Sequence, residues 1–328
     1  MVIPLYQTER FIGAALASVL AQSHEDFEVL VIDDGSTDGG PEIARQTGDG
    51  RVRVISQANR GLAGARNTGI REARGLYIAL LDADDLWHRE KLARHVALLD
   101  ARPSVGLSYS ASRLIGDAGD DLGMSQWPQR ASADAHDVLC RNPIGNGSSP
   151  VLRCAALDAV AFWDHDRQRT CWFDESFRQS EDIECWTRIA ATTPWQLALV
   201  PFMLVDYRVS AAGLSANTTK QLATWRRFRA KVAGYAPALE AAHGNLAEAY
   251  QLRYLARRAV QSGDGPAALR LMYEALGLAP AMAVEEPMRT AVTFAAAAMS
   301  AAIPRTWGAR LVAVAADLAT PRPRLAAR

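Results

Sequence analysis

The chain has 328 residues, 49% of them apolar, and its 36 lysines and arginines equal its 36 aspartates and glutamates in number. That length exceeds most single-core domains, so a large domain with an accessory part is expected, and zero net charge gives no general attraction to nucleic acid. Four scattered cysteines (Cys140, Cys154, Cys171, Cys185) lack zinc spacing and suit reduced thiols in a cytoplasmic protein; neither a signal peptide nor a membrane span of about 18 apolar residues is expected.

Residues 2–6, VIPLY, read as the end of a strand, short because only residues 1–3 precede Pro4. In residues 8–23, Phe11, Ile12, Ala15, Leu16, Val19 and Leu20 fall on one helical face, with Thr8 placed to cap it. FEVLVID (27–33) and RVRVISQ (51–57) are β-branched strand runs. Residues 61–75 read as a helix closed by Gly75, and LYIALLD (76–82) as the next strand. Residues 88–103 are an amphipathic helix stopped by Pro103. Strands alternating with helices imply βαβ units and a mostly parallel sheet, and unbroken apolar runs such as VLVI and YIALL suit strands covered on both faces. From 105 to 215 the pattern is mixed, with SEDIECWTRIAAT helical and LALVPFMLVDYRV extended. Beyond 216 the strand signals stop, so residues 217–328 are expected to be an all-helical extension, in which 254–280 resembles one tetratricopeptide helix pair.

Two of these strands end in acids. VLVIDD supplies Asp33 and Asp34, and ALLDADD supplies Asp82, Asp84 and Asp85. Ligands of open α/β sheets sit beyond the carboxyl ends of the strands, which puts both clusters on one rim. At about 5 Å and an effective dielectric of about 20, each like-charge pair costs about 3 kcal/mol, and a divalent cation would turn that repulsion into attraction. Local explanations compete. Asp33-Asp34-Gly35-Ser36 can be a turn, and the acids from Asp82 to Asp85 can cap the helix near His88. Glu181 and Asp182 can equally be first-turn acids favoured by a helix dipole. At two strand ends at once, with basic residues between them, the acids favour a site.

The segments VIPLYQTERFIGAALASVLAQSHEDFEVLVIDDGSTDGG, NRGLAGARNTGIREARGLYIALLDADDLW and SEDIECWTR resemble, in wording, order and spacing, the successive motifs of the family 2 glycosyltransferases. The resemblance covers roughly residues 2–210. It implies an α/β GT-A (Rossmann-like) fold, a mostly parallel sheet flanked by helices, over residues 1–216, followed by the helical extension. It implies an inverting, metal-dependent transfer of a sugar from a nucleotide-sugar donor to an acceptor hydroxyl, in cell-surface polysaccharide or glycoconjugate synthesis. UDP is the default nucleotide, with dTDP and GDP as alternatives; the acceptor is a saccharide or a lipid-linked one, and the metal is Mn or Mg.

Carried over residue by residue, the resemblance places Pro4 and the ring of Tyr6 at the nucleotide base. Asp34 accepts a hydrogen bond from the base, with Asp33 beside it, and Arg66 approaches the nucleotide. Asp82-Ala83-Asp84 matches the D-x-D motif, Asp82 near the ribose and Asp84 on the metal, and Asp182 matches the general base. Charge builds on a diphosphate leaving group during such a transfer, which a divalent ion stabilises, and a base for the acceptor proton typically contributes about 10²–10⁴-fold. Where many relatives carry a His after DYR (206–208), this chain continues VSAAGLS with Ser210, so Asp84 would hold the metal without it. Arg208 is either a diphosphate contact or a surface ion pair. Trp163, Trp172, Phe173 and Phe177 either border the acceptor or belong to the core.

Other readings lack their signatures. A dinucleotide oxidoreductase needs G-x-G-x-x-G after the first strand, where Pro4-Leu5-Tyr6 stands, and an EF-hand needs a glycine that DADDLW does not have. The alternative of another class is a catalytically silent GT-A-like module that binds nucleotide or partners through its helices. Those helices, rich in Ala and Arg toward residues 306–328, could lie peripherally at the inner face of a membrane, pack on the catalytic domain, or dimerise.

Overall fold

In the computed structural model, residues 1–209 and 218–302 are described. Ser210 and residues 306–328, to which the metal and membrane expectations were attached, lie outside them. The chain divides into two compact units, residues 1–213 with 234–236, and residues 214–233 with 237–328.

The first unit opens as β1 (Val2–Leu5), α1 (Glu9–Leu20), β2 (Val29–Asp33), α2 (Gly40–Arg45), β3 (Val52–Ser56), α3 (Gly61–Glu72) and β4 (Tyr77–Ala79). β1, β2 and β3 pair in parallel, and Val2 bridges in parallel to Leu80 just past β4. The apolar runs work as three layers require. Val2, Leu30 and Ile32 pack on one side of the sheet with Ala63 and Ile70 of α3, while Ile3, Leu5, Val29 and Val31 pack on the other with Ile12, Leu16 and Val19 of α1. Close approach needs glycine at 69, because a Cβ there would stand 2.2 Å from Val2 Cγ1. Thr8 occupies the N-cap position of α1 but makes no side-chain cap; the Glu9 N–H goes to Asp38 at 2.8 Å instead.

The second half is of mixed sense. β5 (Leu86–Trp87), α4 (Lys91–Ala101), β6 (Val105–Ile115), β7 (Asp121–Gln126), β8 (Ser132–Ala133), α5 (Ala135–Arg141), β9 (Val151–Arg153) and α6 (Cys154–Asp158) follow. After a hairpin, β10 (Phe162–Asp164) with β11 (Arg169–Cys171), come α7 (Glu181–Thr192) and β12 (Gln196–Arg208). β6 and β12 run parallel, but β4–β9, β6–β9, β6–β7, β5–β12 and β8–β12 are antiparallel. The parallel arrangement expected of βαβ units thus holds across β1, β2 and β3, where helices make the crossovers, and gives way afterwards, at the β6–β7 hairpin and between strands far apart in sequence. The acids from Asp82 to Asp85 do not cap the next helix: α4 starts at Lys91 after Glu90, and Leu92 N–H goes to Gln22 Oε1 at 3.0 Å.

The second unit is helical throughout its described residues: α8 (Thr218–Tyr235), α9 (Pro237–Gln261), α10 (Gly265–Leu278), α11 (Ala281–Glu285) and α12 (Pro287–Ala302). Asp264 caps α10, accepting the Ala267 N–H at 3.2 Å. Leu252, Leu255, Ala256, Met272 and Ala275 are its buried core, and Arg226 and Arg229 pair with Glu248 at 2.7 and 2.5 Å. No described helix is long and apolar enough to cross a membrane.

Candidate active site

β2 delivers Asp33 and Asp34 to the sheet rim. Asp33 accepts the Ser36 N–H at 2.9 Å and the Ser56 hydroxyl at 3.0 Å, which folds the turn. Asp34, also buried, reaches the loop ahead of α3 and accepts Gln57 Nε2 at 2.6 Å and the N–H groups of Arg60 and Gly61 at 2.8 and 2.7 Å. A carboxylate offers about four lone-pair sites, so one stays open.

Pro4 shapes the neighbouring edge. The Val2 carbonyl accepts the Leu81 N–H at 3.1 Å, and the next donor on that side of β1 would be residue 4, which has none. Pairing ends there and the chain turns out of the sheet at Asp82, whose N–H goes to Ser148 Oγ at 2.9 Å. Tyr6, just beyond β1, is 52% exposed and leaves its ring open.

Arg66 of α3 joins acids from two distant segments. Its Nη2 donates to Asp82 at 2.8 Å and its Nη1 to Glu181 at 2.9 Å, while Phe173 lies 5.5 Å beneath the guanidinium. Only 1% of the residue is exposed. Burial works against its charge, but Asp82, Glu181 and Asp182 together hold its pKa above the ordinary arginine value. Glu181 is pushed up to about 7 by burial first and by Asp182 second, with Arg66 opposing. Asp182 is likewise raised, by burial and by Asp82, again with Arg66 opposing. Asp82, Arg66 and Asp182 therefore share one electrostatic neighbourhood. Glu181 is committed to Arg66, while Asp182 Oδ1 accepts only the Ile183 N–H, at 2.7 Å, among the described residues. Both acids lie in the first turn of α7, which Arg188 fixes by pairing with Glu184 at 3.1 Å and donating to the Val160 and Trp172 carbonyls.

The three acids of DADD part company. Ala83 is buried. Asp85 is wholly buried, accepting the Ser148 hydroxyl at 2.5 Å and the Arg208 N–H at 2.8 Å. Asp84 makes no ion pair within 4 Å among the described residues, and is pushed up to about 6 by burial first and Asp82 second. A half-buried carboxylate facing like charge, with hard oxygen donors free, fits a Mn or Mg ion. Arg208 spends its guanidinium on carbonyls, Nε to Asp84 at 2.8 Å and Nη1 to Gly116 and Asp117 at 2.7 and 3.0 Å, bracing the same turn. The ligand atoms of Asp134, His136 and Asp137 also converge. There, however, Asp134 and Asp137 form the capping box of α5, and Asp137 pairs with Arg130 at 3.0 Å.

The profile of the family described as Glycosyl transferase family 2 matches residues 1–166, half of the chain. The chain belongs to this family. An uncharacterized glycosyltransferase of Nostoc sp. is 36% identical over 143 residues, covering 42% of this chain and 44% of that protein, so the match spans less than half the relative's length. The Escherichia coli UDP-Glc:alpha-D-GlcNAc-diphosphoundecaprenol beta-1,3-glucosyltransferase WfgD is 28% identical over 223 residues, covering 68% of this chain and 81% of WfgD. Among solved structures, S. aureus TarS 1–349 with UDP superposes with TM-score 0.55 at 18% identity, over 98% of this chain and 92% of that one, a likeness of fold. The mannosyltransferase PcManGT of Pyrobaculum calidifontis, solved with GDP-Man and Mn2+, gives 0.57 at 25% identity, over 93% and 86%.

Several residues of this family 2 glycosyltransferase that build the site carried no sequence signal. Gly147 faces the Arg66–Asp82 pair; a Cβ there would stand 2.2 Å from Arg66 Nη2 and 3.0 Å from Asp82 Oδ2. Ser148 holds both ends of the DADD turn. Asn67, beside Arg66, accepts the N–H groups of Trp172 and Phe173 at 3.0 and 2.8 Å and donates to Glu175 at 3.1 Å, locking the segment that leads to α7. Of the aromatics ahead of the base motif, Trp172, Phe173 and Phe177 are core, while Trp163 is 50% exposed.

Proposed function

We propose that the chain is an inverting glycosyltransferase that moves a sugar from a nucleotide-sugar donor, UDP-linked by default, to an acceptor hydroxyl. The observation that carries the reading is the Arg66 bridge, which gathers Asp82 from one strand end and Glu181 and Asp182 from the start of α7 around one charge. Tyr6 and Asp34 receive the base, with Pro4 and Asp33 shaping their rim, and Asp82 faces the ribose. Asp84 would hold a Mn or Mg ion, which when bound stabilises the charge on the diphosphate leaving group. Asp182 takes the acceptor hydroxyl proton on its carboxylate, on the face of the sugar away from the diphosphate. Glu181 stays on Arg66 and keeps that cation beside the base. Arg208 acts on the diphosphate only indirectly, by fixing the backbone of Asp84.

The reading draws on the family, on the nucleotide sugars named for WfgD and PcManGT, and on WfgD's acceptor, a sugar on diphosphoundecaprenol. A lipid-linked acceptor in surface-glycan assembly, met at the inner face of a membrane, is the corresponding proposal here, with residues 1–216 as the catalytic domain and 217–328 as its helical extension. The test is release of nucleoside diphosphate from a panel of UDP-, dTDP- and GDP-sugars with and without Mn. Slow Mn-dependent hydrolysis of one donor is expected, abolished in Asp182→Asn with donor affinity kept. No hydrolysis and no metal-dependent nucleotide binding would leave the silent module instead.

A further inference from the structure

We propose that Arg178 sets nucleobase specificity, donating to a ring carbonyl of the base whose ring N–H is accepted by Asp34; this rests on the nucleotide-sugar reading above. Gly61 is the anchor of the argument. Its backbone sits at φ +77°, which favours glycine, and its N–H is held by Asp34 at 2.7 Å. A side chain there would meet Arg178 Nη1 at 2.2 Å and Cζ at 3.2 Å. The guanidinium therefore lies across Gly61, at the start of α3 that Asp34 organises, four residues before Asp182.

Among the described residues, Arg178 has nothing to bind. It is exposed, and among the described residues it makes no ion pair or hydrogen bond. The nearby carboxylate of Glu175 is already shared by Arg60, Arg167 and Arg169, at 2.7, 3.5 and 3.7 Å. Glu181 is held by Arg66. An arginine is always charged and carries five donors in a fixed fork, so one left unpaired beside a ligand-facing carboxylate is equipped to meet acceptors on the ligand.

Asp34 and Arg178 together present an acceptor next to donors. A base with a ring N–H beside a ring carbonyl, as in uracil, thymine or guanine, is the complement. Cytosine and adenine set a bare ring nitrogen against the carboxylate, and where uracil has its 4-carbonyl and guanine its 6-carbonyl they carry an amino group, so a guanidinium reaching that side meets a mismatch at both contacts. A generic role, drawing in the diphosphate, would be blind to the base.

Titration calorimetry of the full chain with Mn and UDP, GDP, CDP or ADP separates these roles, using the wild type, Arg178→Met, which keeps the stem, and Arg178→Lys. The wild type should bind UDP or GDP at least about tenfold more tightly than CDP and ADP. Arg178→Met should weaken the preferred nucleotide about tenfold while leaving CDP and ADP within about twofold, so that the preference collapses; Arg178→Lys should fall between. Equal weakening of all four nucleotides, or an unchanged preference, overturns the role of Arg178 while leaving the donor reading intact. A wild type that binds none of the four overturns both.

Discussion

At the scale of single residues, Arg66 is the hinge of the chemistry, because its charge opposes every influence that raises Asp182. Removing it in Arg66→Met should lift the Asp182 pKa further. A base must be unprotonated, so the acid limb of the kcat/KM profile should move to higher pH, read from donor hydrolysis; an unmoved limb would mean that Asp182 is not the titrating base. The same substitution strands Asp82 and Glu181 beside each other, and loss of one partner of a buried pair costs about 3–5 kcal/mol, measurable by urea unfolding. Glu181 carries a second pH signature. Its folded pKa of about 7 lies above its ordinary 4.5, so the folded chain holds the proton longer and stability falls as pH rises through that window. Glu181→Gln should therefore show a shallower fall of Tm between those pH values than the wild type, and an equal slope would contradict it. Asp34 and Asp84 stand out in the sequence because each follows a strand run, whereas Asp182 was singled out by the family resemblance, its place at a helix start suiting a first-turn acid equally. Gly147 and Ser148 were not, since what they touch, Arg66, Asp82 and Asp85, lies roughly 60–80 residues earlier and only the fold makes them neighbours.

Among the elements, the turn after β4 depends on the segment before β9. Ser148→Ala leaves the Asp82 N–H and a carboxylate oxygen of Asp85 without their partner, at a cost of about 1–3 kcal/mol. Metal-dependent nucleotide affinity should drop while metal-free affinity holds, because Asp84 loses its fixed place and Asp34 does not; loss of both alike would tie Ser148 to general stability alone. Elements with strong periodicity, α1, α3, α4 and α7, matched the helical pattern to within a few residues. The β6–β7 and β10–β11 hairpins went unread, as β7 is exposed along nearly its whole length and so lacks the alternation that marks a half-buried strand. Pro4 carried more than its composition suggested, since its missing N–H sets where the D-x-D turn leaves the sheet.

For the whole molecule, the layers followed from apolar runs buried on both faces, whereas the direction of the later strands depended on connections that no local pattern encodes. The balance of charges has a consequence of its own: with no net charge, retention on duplex DNA should be absent at about 0.15 M salt, and salt-sensitive binding there would reveal a basic patch that the composition conceals. The second unit has its own buried core and buried ion pairs. The claim on which the catalytic account stands is that one cleft gathers Tyr6, Asp34, Asp84 and Asp182 around a single nucleotide sugar. The most direct measurement is a crystal structure with the donor and Mn, the metal located by its anomalous signal. The account predicts Mn on Asp84 and the diphosphate, the base against Tyr6 and Asp34, and Asp182 facing the sugar; Mn on the Asp134–His136–Asp137 group, or a nucleotide bound away from Arg66, would contradict it.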